Sequence, residues 1–145
     1  MIIRILVAAV AVAVGASSVV AQQDAIAARK ALMKATGAQT AAAVKMVKGD
    51  EPFDLAKAKA VFVTYQETAA KGPGLFPDNS KEGGETTAAP KIWESKADFE
   101  AKFVKFGADA KAAEAKVVDL ASLKATFPEV SKNCGGCHNE YRVKK

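Results

Sequence analysis

From Leu120 to Tyr141, apolar side chains recur at intervals of three and four, through Leu120, Leu123, Phe127, Val130, Cys134, Cys137 and Tyr141. Residues so spaced share one face of an α-helix, so the run predicts a long helix with one apolar stripe. A single stripe cannot be buried alone and demands partner helices. The chain supplies them. Phe99, Phe103, Phe106, Ala110, Ala113 and Val117 form a second stripe, and Leu55, Ala58, Phe62, Tyr65 and Ala69 a third. An alanine-rich segment from about Asp24 to Lys48 is less sharply patterned, with Ile26, Met33, Thr40, Val44 and Val47 read as one face. Gly49 is its stop signal, Pro52 opens the next element, and Ser95 with Asp98 marks the start of the Phe99 stripe.

The connections decide the arrangement. Lys71 to Glu94 holds Gly72-Pro73-Gly74, Phe76-Pro77-Asp78 and Glu82-Gly83-Gly84, which makes one long connection beside two short ones. The expected fold is all-α, an antiparallel four-helix bundle with a long loop between helices 2 and 3. Aromatics at 7% and abundant alanine exclude an all-β sandwich, and 50% apolar residues with modest net charge exclude a disordered chain. Pro128 falls inside the last stripe, where it removes a hydrogen bond, and nothing in the sequence compensates for it.

Residues 1–21 differ from all that follows. Arg4 gives a short basic start, Ile5 to Val14 is unbroken apolar sequence, and small residues lead to Val19-Val20-Ala21. This is the pattern of a secretory signal, with cleavage expected after Ala21. A membrane anchor is the alternative, since no charge falls between Arg4 and Asp24, but the apolar core is short for a span. The division expected is a cleaved signal at 1–21 and one bundle at 22–145, with no stable membrane insertion after cleavage and a periplasmic location. The whole chain carries a net charge of +5. Its lysines are spread along every segment, and only Arg142-Val143-Lys144-Lys145 clusters, which argues against a nucleic-acid partner.

Cys134-Gly135-Gly136-Cys137-His138 carries the chemistry. Cysteines three apart on a helix lie one turn apart, so both thiols can add to the two vinyl groups of one haem. The adjacent histidine is then placed to bind the iron on its proximal side. Gly135 and Gly136 would let the porphyrin lie close to the backbone. A structural zinc site needs four ligands, and the chain offers two thiols and one imidazole. A thioredoxin-like pair belongs beside a βαβ pattern, which is absent, and a disulfide between these two cysteines would close almost no loop. The reading is one haem c per chain, attached to Cys134 and Cys137, with His138 as proximal axial iron ligand.

Two methionines follow the signal, Met33 and Met46. In an antiparallel bundle the end of the fourth helix lies beside the start of the first. Met33 stands roughly 15 Å along the first helix, and Met46 about 20 Å further on. Geometry therefore allows Met33 at the haem and disfavours Met46. It leaves Met33 either an iron ligand or an ordinary core side chain.

The mature chain resembles the class II c-type cytochromes, the family of cytochrome c-prime and cytochrome c-556. The resemblance rests on Asp24-Ala25-Ile26 with Arg29 downstream, Val47-Lys48-Gly49, Pro90-Lys91-Ile92-Trp93, and Cys134 to His138 followed by Tyr141-Arg142. In that family the position of Met33 points at the distal face of the haem, with a non-ligating residue in the gas-binding branch and methionine in the low-spin c-556 branch. The resemblance thus implies Met33 as distal axial ligand and places the chain nearest the c-556 branch. It also implies a propionate contact for Arg29, while Lys30 departs from the glutamine frequent in the gas-binding branch. Arg142, one turn beyond His138, would shield the imidazole or face a partner. Trp93 would cover the haem edge or anchor the long loop.

Two strong axial ligands leave no vacant position on the iron, which favours exchange of single electrons over bond-making catalysis. The function expected is a periplasmic electron carrier and not an enzyme, its lysines steering it toward acidic faces of redox protein partners. The alternatives are five-coordinate binding of nitric oxide or carbon monoxide, and a haemless helical interaction module. Ala41-Ala42-Ala43 would permit close packing in a homodimer and serves packing within the chain equally.

Overall fold

A computed structural model describes the backbone of residues 2–144 and the side chains of residues 22–144. The side chains of the expected export signal, residues 1–21, lie outside the described residues. The helices are α1 (Ile2–Lys48), α2 (Leu55–Lys71), α3 (Lys91–Glu94), α4 (Lys96–Lys116) and α5 (Leu120–Tyr141). Two 3₁₀ turns, Pro73–Leu75 and Asp78–Ser80, lie within the connection from α2 to α3. Among the described residues the extended structure amounts to a single antiparallel bridge between Ala88 and Arg142.

The four long helices form the expected bundle. Side-chain pairs fix their directions: Thr36 with Thr68 and Thr40 with Tyr65 join α1 to α2, while Lys102 with Glu140 and Asp109 with Asn133 join α4 to α5. In each case the numbering rises on one helix as it falls on the other, so both pairs are antiparallel. Gly72 lets the end of α2 approach α4, because a Cβ there would run into the Phe103 ring.

Local chemistry sets the boundaries. Gly49 ends α1 with φ +84°, a conformation open to glycine, and the Asp50 amide donates back to the Lys45 carbonyl at 2.9 Å. The α2 helix begins later than Pro52 suggests, because the Asp54 side chain accepts from the Lys57 amide and makes Asp54 the N-cap. Asp119 and Ser122 cap α5 reciprocally. The Ser95 start signal is only half right. Ser95 does precede α4, but its hydroxyl makes no capping bond, and a separate one-turn helix, α3, stands just before it.

The stripe on α4 is buried at every position from Phe99 to Val117. On α2 Ala58, Phe62 and Tyr65 are buried and Ala69 is half-buried, while the first residue, Leu55, is 41% exposed. The face of α1 differs from expectation: Ile26, Arg29, Thr36, Ala43 and Met46 are the buried residues, with Val44 and Val47 only half-buried. Ala43 lies in the chain's own core, while Ala41 is exposed. Helix α5 continues through Pro128. Pro128 and Lys124 are both exposed, so the carbonyl that loses its donor faces water, the compensation that the sequence does not reveal.

Two apolar clusters result. The larger contains Met46, Phe62, Tyr65, Phe106, Val117, Leu123, Phe127 and Val130. The smaller consists of Phe76, Ile92, Phe99, Phe103 and Tyr141, with Met33, Trp93 and Cys137 packed against it.

Candidate functional site

Beside the smaller cluster lies a cavity of about 830 Å³, walled by α1 on one side and α5 on the other. Helical spacing explains how α5 presents its residues. Cys134, Cys137, His138 and Tyr141, at steps of three and four along two turns, share one face and all line the cavity. Gly135 and Gly136 fall on the opposite side of the same turn. They are exposed and do not line the cavity, so the expected role of letting a porphyrin approach the backbone is not theirs.

From α1 come Arg29, Met33, Thr36, Gly37 and Thr40, again at helical spacing. Thus the cavity brings Met33 together with both cysteines and His138. It excludes Met46, which is 1% exposed within the larger cluster. Phe76, Ile92, Phe99, Phe103 and Phe106 supply apolar walls. Arg142 also lines the cavity. Trp93 does not line the cavity; its Nε1 donates to the Phe76 and Pro77 carbonyls at 3.2 and 3.3 Å, which makes it an anchor for the connection.

The protonation states suit metal ligation and thioether chemistry. Burial lowers the His138 pKa from its ordinary value and the charge of Arg142 lowers it further, so the imidazole is held neutral with a free lone pair. Burial pushes the thiols of Cys134 and Cys137 up, which keeps them protonated. Among the described side chains no cluster of three or more His, Cys, Asp or Glu residues gathers to hold a bare metal ion.

The cavity fits a haem. Its volume falls in the range of cofactor sites, and four phenylalanines and Tyr141 give it large apolar wall surfaces. Arg29, Lys30, Lys34 and Arg142 line it with no carboxylate bonded to them among the described residues, against one acid, Glu85, while Lys102 is paired with Glu140; this excess of cations matches a group bearing carboxylates. Met33 and His138 line it from different helices, α1 and α5.

Sequence reasoning missed two parts of this site. One is a set of hydroxyls on the α1–α2 side. The Thr36 and Thr68 hydroxyls lie 2.8 Å apart, and those of Thr40 and Tyr65 lie 2.7 Å apart. Burial pushes the Tyr65 phenol up to about 12. Threonine at helical spacing beside Met33 was the available signal. The other is the junction of the connection with the chain end, where the Val143 amide donates to the Thr87 carbonyl and the Ala89 amide to the Tyr141 carbonyl, each at 2.9 Å. No local pattern announces that contact.

Comparison with known proteins gives one answer. The cytochrome C' family matches residues 24–142. Cytochrome c' of Rhodopseudomonas palustris is 43% identical over 99% of this chain and 98% of that protein. Cytochrome c-556 of Agrobacterium tumefaciens (strain apple 185) is 40% identical over 81% of this chain and 94% of its own length. Among solved structures, cytochrome c' from Rhodopseudomonas palustris superposes with a TM-score of 0.82 at 44% identity, covering 84% of this chain and 98% of that one. Oxidised cytochrome c556 of the same organism gives 0.78 at 32% identity, over 85% and 98%. With a bundle, a cavity and a haem-attachment motif of this kind, the chain belongs to the cytochrome c' family, the class II c-type cytochromes, and haem c is its cofactor.

Proposed function

We propose that the protein is an exported one-electron carrier in which Cys134 and Cys137 hold a single haem c, with His138 and Met33 binding its iron from opposite faces. The observation that carries this reading is Met33 lining the same cavity as both thiols and His138, while Met46 is buried elsewhere. The bound haem supplies the one-electron couple. The chain's part is to keep the His138 imidazole neutral in the cavity wall, to keep water from most of the cavity with Phe76, Phe99 and Phe103, and to present a thioether that favours the reduced state. With both axial positions filled by the protein, the site exchanges electrons and does not act as an enzyme.

The pattern of residues 1–21 supports export to the periplasm, and within residues 22–144 no helical stretch is long and apolar enough to cross a membrane. Cationic residues at the cavity mouth would meet acidic faces of redox partners. A homodimer finds no support beyond the exposed Ala41.

A second reading has its own support, the 43% identity with a cytochrome c' and the likeness, at 30% identity and a TM-score of 0.73, to a cytochrome c prime from Alcaligenes xylosoxidans solved as a nitric oxide complex. In that reading Met33 is off the iron and the protein binds nitric oxide or carbon monoxide. Absorption spectra of the mature holoprotein separate the two. A near-infrared band from methionine sulfur to ferric iron, lost in Met33→Leu, establishes the carrier; a high-spin spectrum with rapid carbon monoxide binding establishes the gas-binding form.

A further inference from the structure

Arg29 is 4% exposed, yet it carries a full charge with no carboxylate bonded to it. Its Nη1 donates to the Leu75 carbonyl at 3.2 Å and the Ser80 hydroxyl at 2.8 Å. Its Nη2 donates to the Ser80 carbonyl at 2.9 Å and the Thr86 hydroxyl at 2.7 Å. Each terminal nitrogen has two hydrogens, so both are fully engaged, and every acceptor belongs to the connection between α2 and α3. The guanidinium also stacks over Phe76, 4.8 Å from the ring centroid. Only a planar, forked cation can satisfy so many acceptors at once, and a lysine ammonium in its place could not reach them all.

The segment held in this way forms part of the cavity. Phe76 packs edge-on against Phe99 with centroids 4.8 Å apart, in the cluster on which Met33 and Cys137 rest. Thr86 lines the cavity and also accepts the Ala88 amide at 3.1 Å, next to the bridge from Ala88 to Arg142.

We propose that Arg29 is a positioning residue for the haem site: its four terminal N–H donors fix Leu75–Thr86, and so set the Phe76 and Thr86 walls. The inference builds on the haem reading above. It adds action through the connection to the propionate contact that family resemblance implies.

The test uses the haem-loaded mature protein and two variants, Arg29→Lys and the double variant Ser80→Ala/Thr86→Val, which leaves Arg29 and its charge in place. Amide hydrogen exchange over residues 75–90 is measured with Soret circular dichroism and the reduction potential. The expected result is exchange faster by about tenfold or more in both variants, since each loses hydrogen bonds to a charged group. The Soret signal should shift in the same sense in both. If the double variant loosens the segment but keeps the unsubstituted Soret signal and potential, while Arg29→Lys moves them, Arg29 acts on the haem directly and the proposal is wrong. Unchanged exchange in a haem-loaded double variant sinks this inference alone. A chain isolated from a maturation-competent host without covalent haem sinks the haem reading and this one with it.

Discussion

Met33 and Met46 stand on one helix, about 20 Å apart, with the same flexible thioether. Met46 is 1% exposed among Phe62, Leu123 and Phe127, where α1, α2, α4 and α5 close on one another with alanines and valines between the rings. Met33 is half-buried at the edge of an aromatic cluster and lines the cavity. Around Met46 the neighbours leave nothing for sulfur to do but fill space. Around Met33 large rings, a connection pinned from outside and two half-buried thiols hold α1 and α5 apart. What a methionine does is therefore decided by the helices that face it, and the bundle is a packed core at one end and a cofactor frame at the other.

The contrast can be broken in graded steps. Replacing both Cys134 and Cys137 by serine should abolish covalent attachment, leaving haem that acidified organic solvent extracts completely. If attached haem persists, the motif assignment is wrong. Met33→Leu should come next: the sulfur-to-iron band disappears and the ferric Soret moves to a high-spin position, whereas Met46→Leu leaves both unchanged. Equal spectral responses from the two substitutions would erase the distinction between the two ends.

In the other direction, Met46→Ala should lower unfolding stability by about 2–5 kcal/mol, the usual cost of a core cavity, with the visible spectrum intact. Denaturant titration of the holoprotein reads this directly. The smallest effect belongs to Asp119. The Ser122 amide and hydroxyl hold its carboxyl below the ordinary value of 3.8, so its contribution is present above that value and is lost as pH falls through the lower folded pKa. Asp119→Ala should lower the Tm of the protein by a few degrees near pH 7 and by less in acid; an equal drop at pH 7 and pH 2.5 would rule out the charged cap.

Much of this could be read before the fold was seen, and the exceptions share a cause. The α4 stripe was legible because phenylalanines mark its phase unambiguously, and all of it is buried. The α1 face was misread by a part-turn, because alanine fits core and surface alike and so carries no phase; Ala43 and Met46 proved to be the buried pair. The cysteines, His138 and Met33 were found from spacing, chemistry and resemblance, and all line one cavity. The partners of Arg29 lie 46 to 57 residues away, in a connection without periodicity, so no local pattern could reveal that its terminal nitrogens were already taken. Gly135 and Gly136 suggest closeness to the haem because they lack side chains, yet the helical turn carries them away from the cavity-lining face.

The junction of Ala88 with Arg142 also has a bearing on time. Thr87 and Ala89 bond to Val143 and Tyr141, 56 and 52 residues further along the chain. The connection cannot be latched until α5 has found its place, because its fastening follows that helix. Contacts so distant in sequence are late to form. The Met46 end, to which α1, α2 and α4 contribute most, can gather before that latch closes. Folding in that order leaves Cys134 and Cys137 within reach of whatever attaches the haem until the connection closes beside them.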